Sequence, residues 1–297
     1  MGRPSYIEVH AKSVLNRVQG MPFRWSINPY RGCRHGCPFC YARRTHWFLD
    51  EDGIDGWTSR IFVKVNAPEV LRAELSRPGW AREEVAVGTA TDPYQPIEGT
   101  YRLTRRILVA LHDYRTPASI VTRSPLVQRD VDVLSALASR AGVTVCVSIA
   151  TLDASLARRL EPTVAPPASR LRTVWTLARH GIRTGILLAP ILPGLTDAPS
   201  NLESVAAAAR DHGACFLWST VLHLGPVTRE AFFRFLEDYH PDLLPAYRDL
   251  YASKYAPPPY RAAVARTVER LKATYGLQAD RAQDPQVPEQ LPLLTAS

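Results

Sequence analysis

The chain has 297 residues, 46% of them hydrophobic and 22% charged, with a formal net charge of +8. That composition suits one large domain or two small ones around a packed core and excludes a globally disordered chain. No apolar run is long enough to cross a membrane, and the start, "MGRPSYIEVHAKS", lacks the apolar stretch of a signal peptide, so a cytoplasmic protein is expected.

In chain order, Arg24–Asn28 predicts a short strand. Arg60–Val65 alternates and predicts a small accessory strand. Asn66 is expected to cap a helix with Pro68 in its first turn, running to Leu75. Glu84–Thr89 predicts a strand and Leu103–Tyr114 an amphipathic helix. Ala118–Thr122 predicts a strand, Asp130–Arg140 a helix, and the β-branched run Val143–Ile149 a buried strand. Helices follow at Ala154–Leu160 and Arg170–His180, with Gly181 where a helix C-terminal glycine belongs. Thr184–Ile191 is a strand, Asn201–Asp211 a helix, and Cys215–Val221 the last strand. Beyond Thr228 the pattern is helical, and the residues from Arg281 onward read as a loose tail. Six strand–helix units imply a parallel sheet, too few for a closed eight-stranded barrel. The expected fold is an α/β partial (βα)6 barrel over 1–227 with a C-terminal helical extension over 228–280 and the tail over 281–297.

The basic excess has two readings. Phosphate-rich partners such as DNA are one. The other is compositional, since only Lys12, Lys64, Lys254 and Lys272 of the 36 basic residues are lysines and no basic block stands out.

Three of the five cysteines, Cys33, Cys37 and Cys40, crowd into "RGCRHGCPFCYARR" after the first predicted strand. A reducing compartment argues against disulfides. Two metal readings follow from the C-x3-C-x2-C spacing. With His35 or His46 as fourth ligand it makes a Cys3His zinc site in a non-catalytic nucleic-acid-binding protein. Alone, three thiolates hold three irons of a [4Fe–4S] cube and leave the fourth iron open. Cys146 and Cys215 fall in or beside strands and read as buried, inert thiols.

C-x3-C-x-aromatic-C after a first strand, with Phe39 as the aromatic, resembles the signature of the radical S-adenosylmethionine (SAM) enzymes. "MPFRWSINPYRGC", "VKVNAPEVLRAEL", "GTATDPYQPIEG", "VTRSPLVQRD", "LLAPILPGLTD" and "YRDLYASKYAPPPYR" together resemble the spore photoproduct lyase-like (DNA repair photolyase-like) branch, over about Glu8 to Tyr275. The resemblance implies a [4Fe–4S] cluster on Cys33, Cys37 and Cys40. It also implies S-adenosylmethionine on the open iron, an external electron donor, and a 5′-deoxyadenosyl radical acting on a substrate. A nucleic-acid lesion is the leading substrate; a peptide or small molecule is the alternative.

The resemblance also assigns cofactor contacts, each with an ordinary structural alternative. Thr91 and Asp92 are expected at the methionine amino group, or else form an Asp-Pro turn. Arg123 is expected at the methionine carboxylate, or else is a solvated strand-end arginine. Ser148 is expected at the ribose, or bonded to backbone. Pro190 and Phe39 are expected near adenine, or simply end a strand and fill the core. The branch's lyase returns hydrogen through a cysteine near the end of the second strand and has tyrosines on both sides of the last cluster cysteine. Here Thr89 and Ala90 stand at the first place, and Phe39 and Tyr41 at the second.

Overall fold

The computed structural model describes residues 3–49 and 51–278, so the expected tail over 281–297 lies outside the described residues. Ten strands follow in chain order: β1 (Ser5–Val9), β2 (Asn16–Arg17), β3 (Trp25–Ile27), β4 (Tyr30–Arg31), β5 (Arg60–Lys64), β6 (Val85–Val87), β7 (Ala118–Thr122), β8 (Val143–Ser148), β9 (Arg183–Ile191) and β10 (Leu217–Val221). The six expected core strands lie side by side in chain order, β3-β6-β7-β8-β9-β10, and every neighbouring pair is parallel. The antiparallel two-residue β2 closes one edge and β10 ends the other, so the barrel stays open. The Arg60–Val65 expectation holds as well: β5 pairs with β1 and β4 in a separate three-stranded sheet.

Apolar patterning explains the layers. In β7 and β8, Ile120, Val145 and Val147 are fully buried, and register sets Ile120 opposite Val145 and Val147 opposite Ile186. The helix Leu103–Asp113 buries Ile107, Leu108 and Leu111, one stripe at helical spacing, against this sheet, while Leu103 packs with Tyr30, Ile61 and Val63. Helix Pro167–Arg179 ends as expected. Gly181 turns at φ 70°, its N–H reaches the Ala178 carbonyl, and the Ile182 N–H reaches the Leu177 carbonyl. The helix Pro226–Tyr239 packs on the segment after the cysteine loop, and Pro258–Tyr275 packs on β10 and on helix Pro199–Asp211.

Three local expectations need correction. Asn66 precedes its helix but makes no capping bond; its side chain bonds both the N–H and the carbonyl of Ala11, fastening the lead-in chain instead. The "LLPAYRDLYASKY" helix stops at Leu250, because Tyr251 and Tyr255 turn back to pair with Leu222 and His223. Pro190 does not end its strand, because β9 continues through Ile191 as the Thr184–Ile191 reading expects.

Gly185, mid-β9, lies under Phe216. A Cβ there would lie 2.4 Å from the Phe216 ring and 2.5 Å from its backbone oxygen. Backbone cannot swing aside as a side-chain tip can, so Gly185→Ala should cost about 1–3 kcal/mol. Urea denaturation measures this; an unchanged midpoint would show that β9 and β10 separate freely.

Candidate active site

Strand ends deliver most of the site, and helices or their ends supply Arg43, Glu161 and Arg170. The loop after β3 carries the three thiols, and its bend depends on Gly32 at φ 85°. A Cβ there would lie 2.8 Å from the Arg60 carbonyl and 3.1 Å from the His46 ring. The Cys33 N–H donates to the Trp57 carbonyl and the Cys40 N–H to the Cys37 carbonyl. Cys33 and Cys37 are buried and Cys40 half-buried. Cys37, Cys40 and Phe39 pack with Leu192, Leu222, Leu224 and Phe232, so apolar side chains shield this side of the loop from water.

The segment after β6 grips that loop. Thr91 Oγ1 donates to the Gly32 carbonyl at 2.7 Å, and Gln95 Nε2 donates to the same oxygen at 3.1 Å. Gln95 Oε1 accepts the Arg34 N–H at 3.0 Å. The Asp92 carboxylate is buried and surrounded by donors. Oδ1 accepts from the Tyr94 N–H and the Thr122 hydroxyl, Oδ2 from the Arg123 N–H at 2.7 Å, and His35 Nε2 lies 3.2 Å from Oδ2. Burial pushes this carboxyl up. His35 and the hydrogen bonds from Arg123 and Thr122 outweigh it, and the net direction is below the ordinary aspartate value.

Arg123 is not solvated. Its Nε donates to Glu161 at 2.7 Å, one Nη donates to the Ala189 carbonyl at 3.2 Å, and its guanidinium sits 5.6 Å from the Phe39 ring centroid. Arg170 takes the other Glu161 oxygen at 2.7 Å and also donates to the Ser148 carbonyl. Two guanidiniums therefore share one buried carboxylate, a local excess of one positive charge. Burial pushes Glu161 up, but Arg170 and Arg123 more than offset it and hold it below the ordinary range. Ser148 ends β8 with a buried Oγ that has no partner, and Pro190 sits half-buried beside Ala189.

The metal alternatives separate on geometry. A lone zinc ion needs four ligand atoms converging on one point. Among the described residues no three Cys, His, Asp or Glu side chains do so. His46 is engaged elsewhere, its Nε2 3.1 Å from the Arg60 carbonyl and its ring edge-on to Trp57, while His35 faces Asp92. Neither histidine therefore stands as a fourth ligand beside the three thiols in this arrangement. An iron–sulfur cube sets its irons apart, so its thiolates need not converge, and three soft thiols, two buried and one half-buried, on one glycine-bent loop suit it. Burial pushes the Cys33 thiol up to about 12 and Cys37 well above the ordinary value, the nearby Arg123 pulling Cys37 only part of the way back. Metal ligation must therefore displace protons from both. Cys146 and Cys215 lie away from the mouth: the charged and thiol groups acting on Cys146 are Arg183, Cys215 and Glu84, all at the opposite ends of the strands.

The chain matches the Radical SAM superfamily over residues 27–202 and belongs to it. It is 39% identical over 280 residues to the uncharacterized protein Rv2578c of Mycobacterium tuberculosis, covering 93% of this chain and 82% of that one. It is 28% identical over 196 residues to the Radical SAM Nalpha-GlyT isomerase of Pseudomonas phage M6, covering 62% of this chain and 37% of that one. Its fold matches spore photoproduct lyase complexed with dinucleoside spore photoproduct at a TM-score of 0.68 and 14% identity, over 91% of this chain and 79% of that one.

Four site residues escape sequence reasoning. Gln95 stands four residues after Thr91 and shares its target, a pairing with no recognisable pattern of its own. Glu161 and Arg170 lie far along the chain from Arg123 and carry no local signal. Arg43, inside the quoted cysteine segment, is 5% exposed and binds carbonyls on both sides of it: Gly36, Cys37, Gly53 and Ile54.

Glu161→Gln leaves two buried guanidiniums without their anion and should destabilise the fold by about 3–5 kcal/mol near pH 7. The depressed carboxyl contributes its stability above the unfolded value of about 4.3 and loses it as pH falls through the folded value. The gap between wild type and variant in denaturation should therefore narrow below about pH 4. A gap constant down to pH 3 would show that shape, not charge, matters here.

Proposed function

We propose that this chain carries a [4Fe–4S] cluster on Cys33, Cys37 and Cys40 and uses S-adenosylmethionine to initiate radical chemistry on a nucleic-acid base. When bound, the cluster supplies one electron for reductive cleavage of the sulfonium, yielding a 5′-deoxyadenosyl radical that abstracts hydrogen. The observation that carries this reading is the three-thiol loop, clamped by Thr91 and Gln95 against the strand ends of an open parallel barrel.

The chain's own residues have distinct parts in it. The positive excess of Arg123 and Arg170 over Glu161 suits the methionine carboxylate. Asp92 suits the amino group: of its four donors, His35 is out of hydrogen-bond alignment and is the contact an ammonium replaces. Thr91 holds the loop that faces this group. The unpartnered Ser148 Oγ suits a ribose hydroxyl, and Phe39 and Pro190 flank the place for adenine. The nucleic-acid reading draws support from the dinucleoside bound by the structurally similar lyase and from the net charge of +8. It also draws on exposed Tyr41, Trp47 and Phe48 beside Arg44, an arrangement suited to base stacking.

Anaerobic reconstitution should give about four irons and four sulfides per chain, lost on replacing Cys33, Cys37 or Cys40 by alanine and retained in Cys146→Ala and Cys215→Ala. The wild type should release 5′-deoxyadenosine from S-adenosylmethionine, faster with single-stranded DNA present. One zinc per chain would end the cluster assignment, and indifference to DNA would end the nucleic-acid reading.

Thiol-relay repair of spore photoproduct is not expected. No thiol stands at Thr89 or Ala90; the Thr89 carbonyl instead accepts the Tyr41 hydroxyl, and Cys146 lies inside β8 rather than at its end. Incubation with an oligonucleotide containing spore photoproduct should restore few thymines per enzyme. Many clean turnovers would contradict this and require another hydrogen donor.

A further inference from the structure

Arg43 poses a problem of charge. It lies three residues beyond Cys40 on the 3-10 segment Tyr41–Leu49, and its side chain points back under the cysteine loop. Nε donates to the Cys37 carbonyl at 3.2 Å and one Nη to the Gly36 carbonyl at 3.1 Å. The other Nη donates to the carbonyls of Gly53 and Ile54, at 3.3 and 2.8 Å. These bonds satisfy the donors but leave the charge uncompensated. Among the described residues no carboxylate pairs with this guanidinium, whereas the other deeply buried arginine, Arg170, has Glu161.

A buried cation without an anion is costly, and proteins rarely keep one. The four carbonyl bonds account for the stapling of the two loops but not for the charge. The anion that fits is the one the thiols create on binding metal, and two of the carbonyls that hold Arg43, those of Gly36 and Cys37, belong to the same loop. Three thiolates around an oxidised cube leave the assembly net anionic, and one electron makes it more so. A fixed cation nearby favours the more negative state, and net charge and sulfur surroundings are among the terms that set such potentials.

We propose that Arg43 is the resident counter-ion of the iron–sulfur cluster: a guanidinium fixed by four loop carbonyls, whose charge raises the cluster's reduction potential. The inference rests on the cluster assignment above. The couple is a single electron accepted from an external low-potential donor. No bond forms or breaks at Arg43, and no proton moves.

The test is an anaerobic redox titration of the reconstituted cluster, followed by electron paramagnetic resonance, for wild type, Arg43→Gln and Arg43→Lys. Circular dichroism melting confirms that each folds. At a fixed potential, Arg43→Gln should show at least about a tenfold lower ratio of reduced to oxidised cluster, equivalent to a midpoint about 59 mV more negative for one electron. Arg43→Lys keeps the charge and should stay near wild type. A cluster lost from Arg43→Gln but kept in Arg43→Lys at the wild-type midpoint also supports the proposal. An unshifted Arg43→Gln overturns it, as do equal shifts or equal cluster loss in both variants, which assign Arg43 to loop geometry alone. Absence of a cube from the wild type itself is a separate result, the failure of the cluster assignment.

Discussion

The buried carboxylate of Asp92 is the point on which the mouth of this barrel turns. It follows β6, receives the hydroxyl and N–H at the end of β7 from Thr122 and Arg123, and faces His35 from the loop after β3. One anion thus ties three consecutive strand ends together. A buried charge is tolerable only when it is well surrounded, and here three hydrogen-bond donors and the His35 ring at 3.2 Å do so. The carboxyl settles below its ordinary range despite burial, so it stays charged at neutral pH and the donors stay oriented.

Charges then alternate around the rim. From Asp92 the path runs through Arg123 to Glu161, on to Arg170, and ends at the Ser148 carbonyl. Each member immobilises the next, which preorganises the rim without drawing on the apolar core beneath it. The ordering also localises what is left over. Asp92 meets Arg123 through its backbone N–H, so around Glu161 one positive charge remains between the Arg123 and Arg170 guanidiniums, and one hydroxyl, on Ser148, remains without a partner. A zwitterionic amino acid joined to a nucleoside is the kind of ligand whose groups match those remainders.

Beneath the thiols the logic is the same with opposite sign. Arg43 closes the loop from below through carbonyls, and Thr91 and Gln95 close it from the side through the Gly32 carbonyl. The loop therefore owes its shape to backbone acceptors held by buried donors, and its cysteines are left clear of that structural task. Its open face meets Phe39 and the leucines of the C-terminal region, which links the helical extension to the shielding of the site.

Much of this was legible before any coordinates. The βα alternation set the strand order, because β-branched runs bury on both faces only in a parallel sheet. Three thiols in eight residues, bracketed by Gly32 and Gly36, marked the loop proposed to hold the cluster, because spacing along a short loop is spacing in space. Ends of strands marked Asp92, Arg123 and Ser148 as facing one mouth. What tertiary structure alone decided was which partners those side chains have. Asn66 could cap a helix or hold Ala11; Arg123 could meet solvent or Glu161; His46 could bind metal or the Arg60 carbonyl. Local sequence states what a side chain can donate or accept, but the nearest complementary group lies 38 residues away for Arg123 and 55 for Asn66. Only the packing of distant segments brings such pairs within hydrogen-bond reach, and so only the folded chain could choose between them.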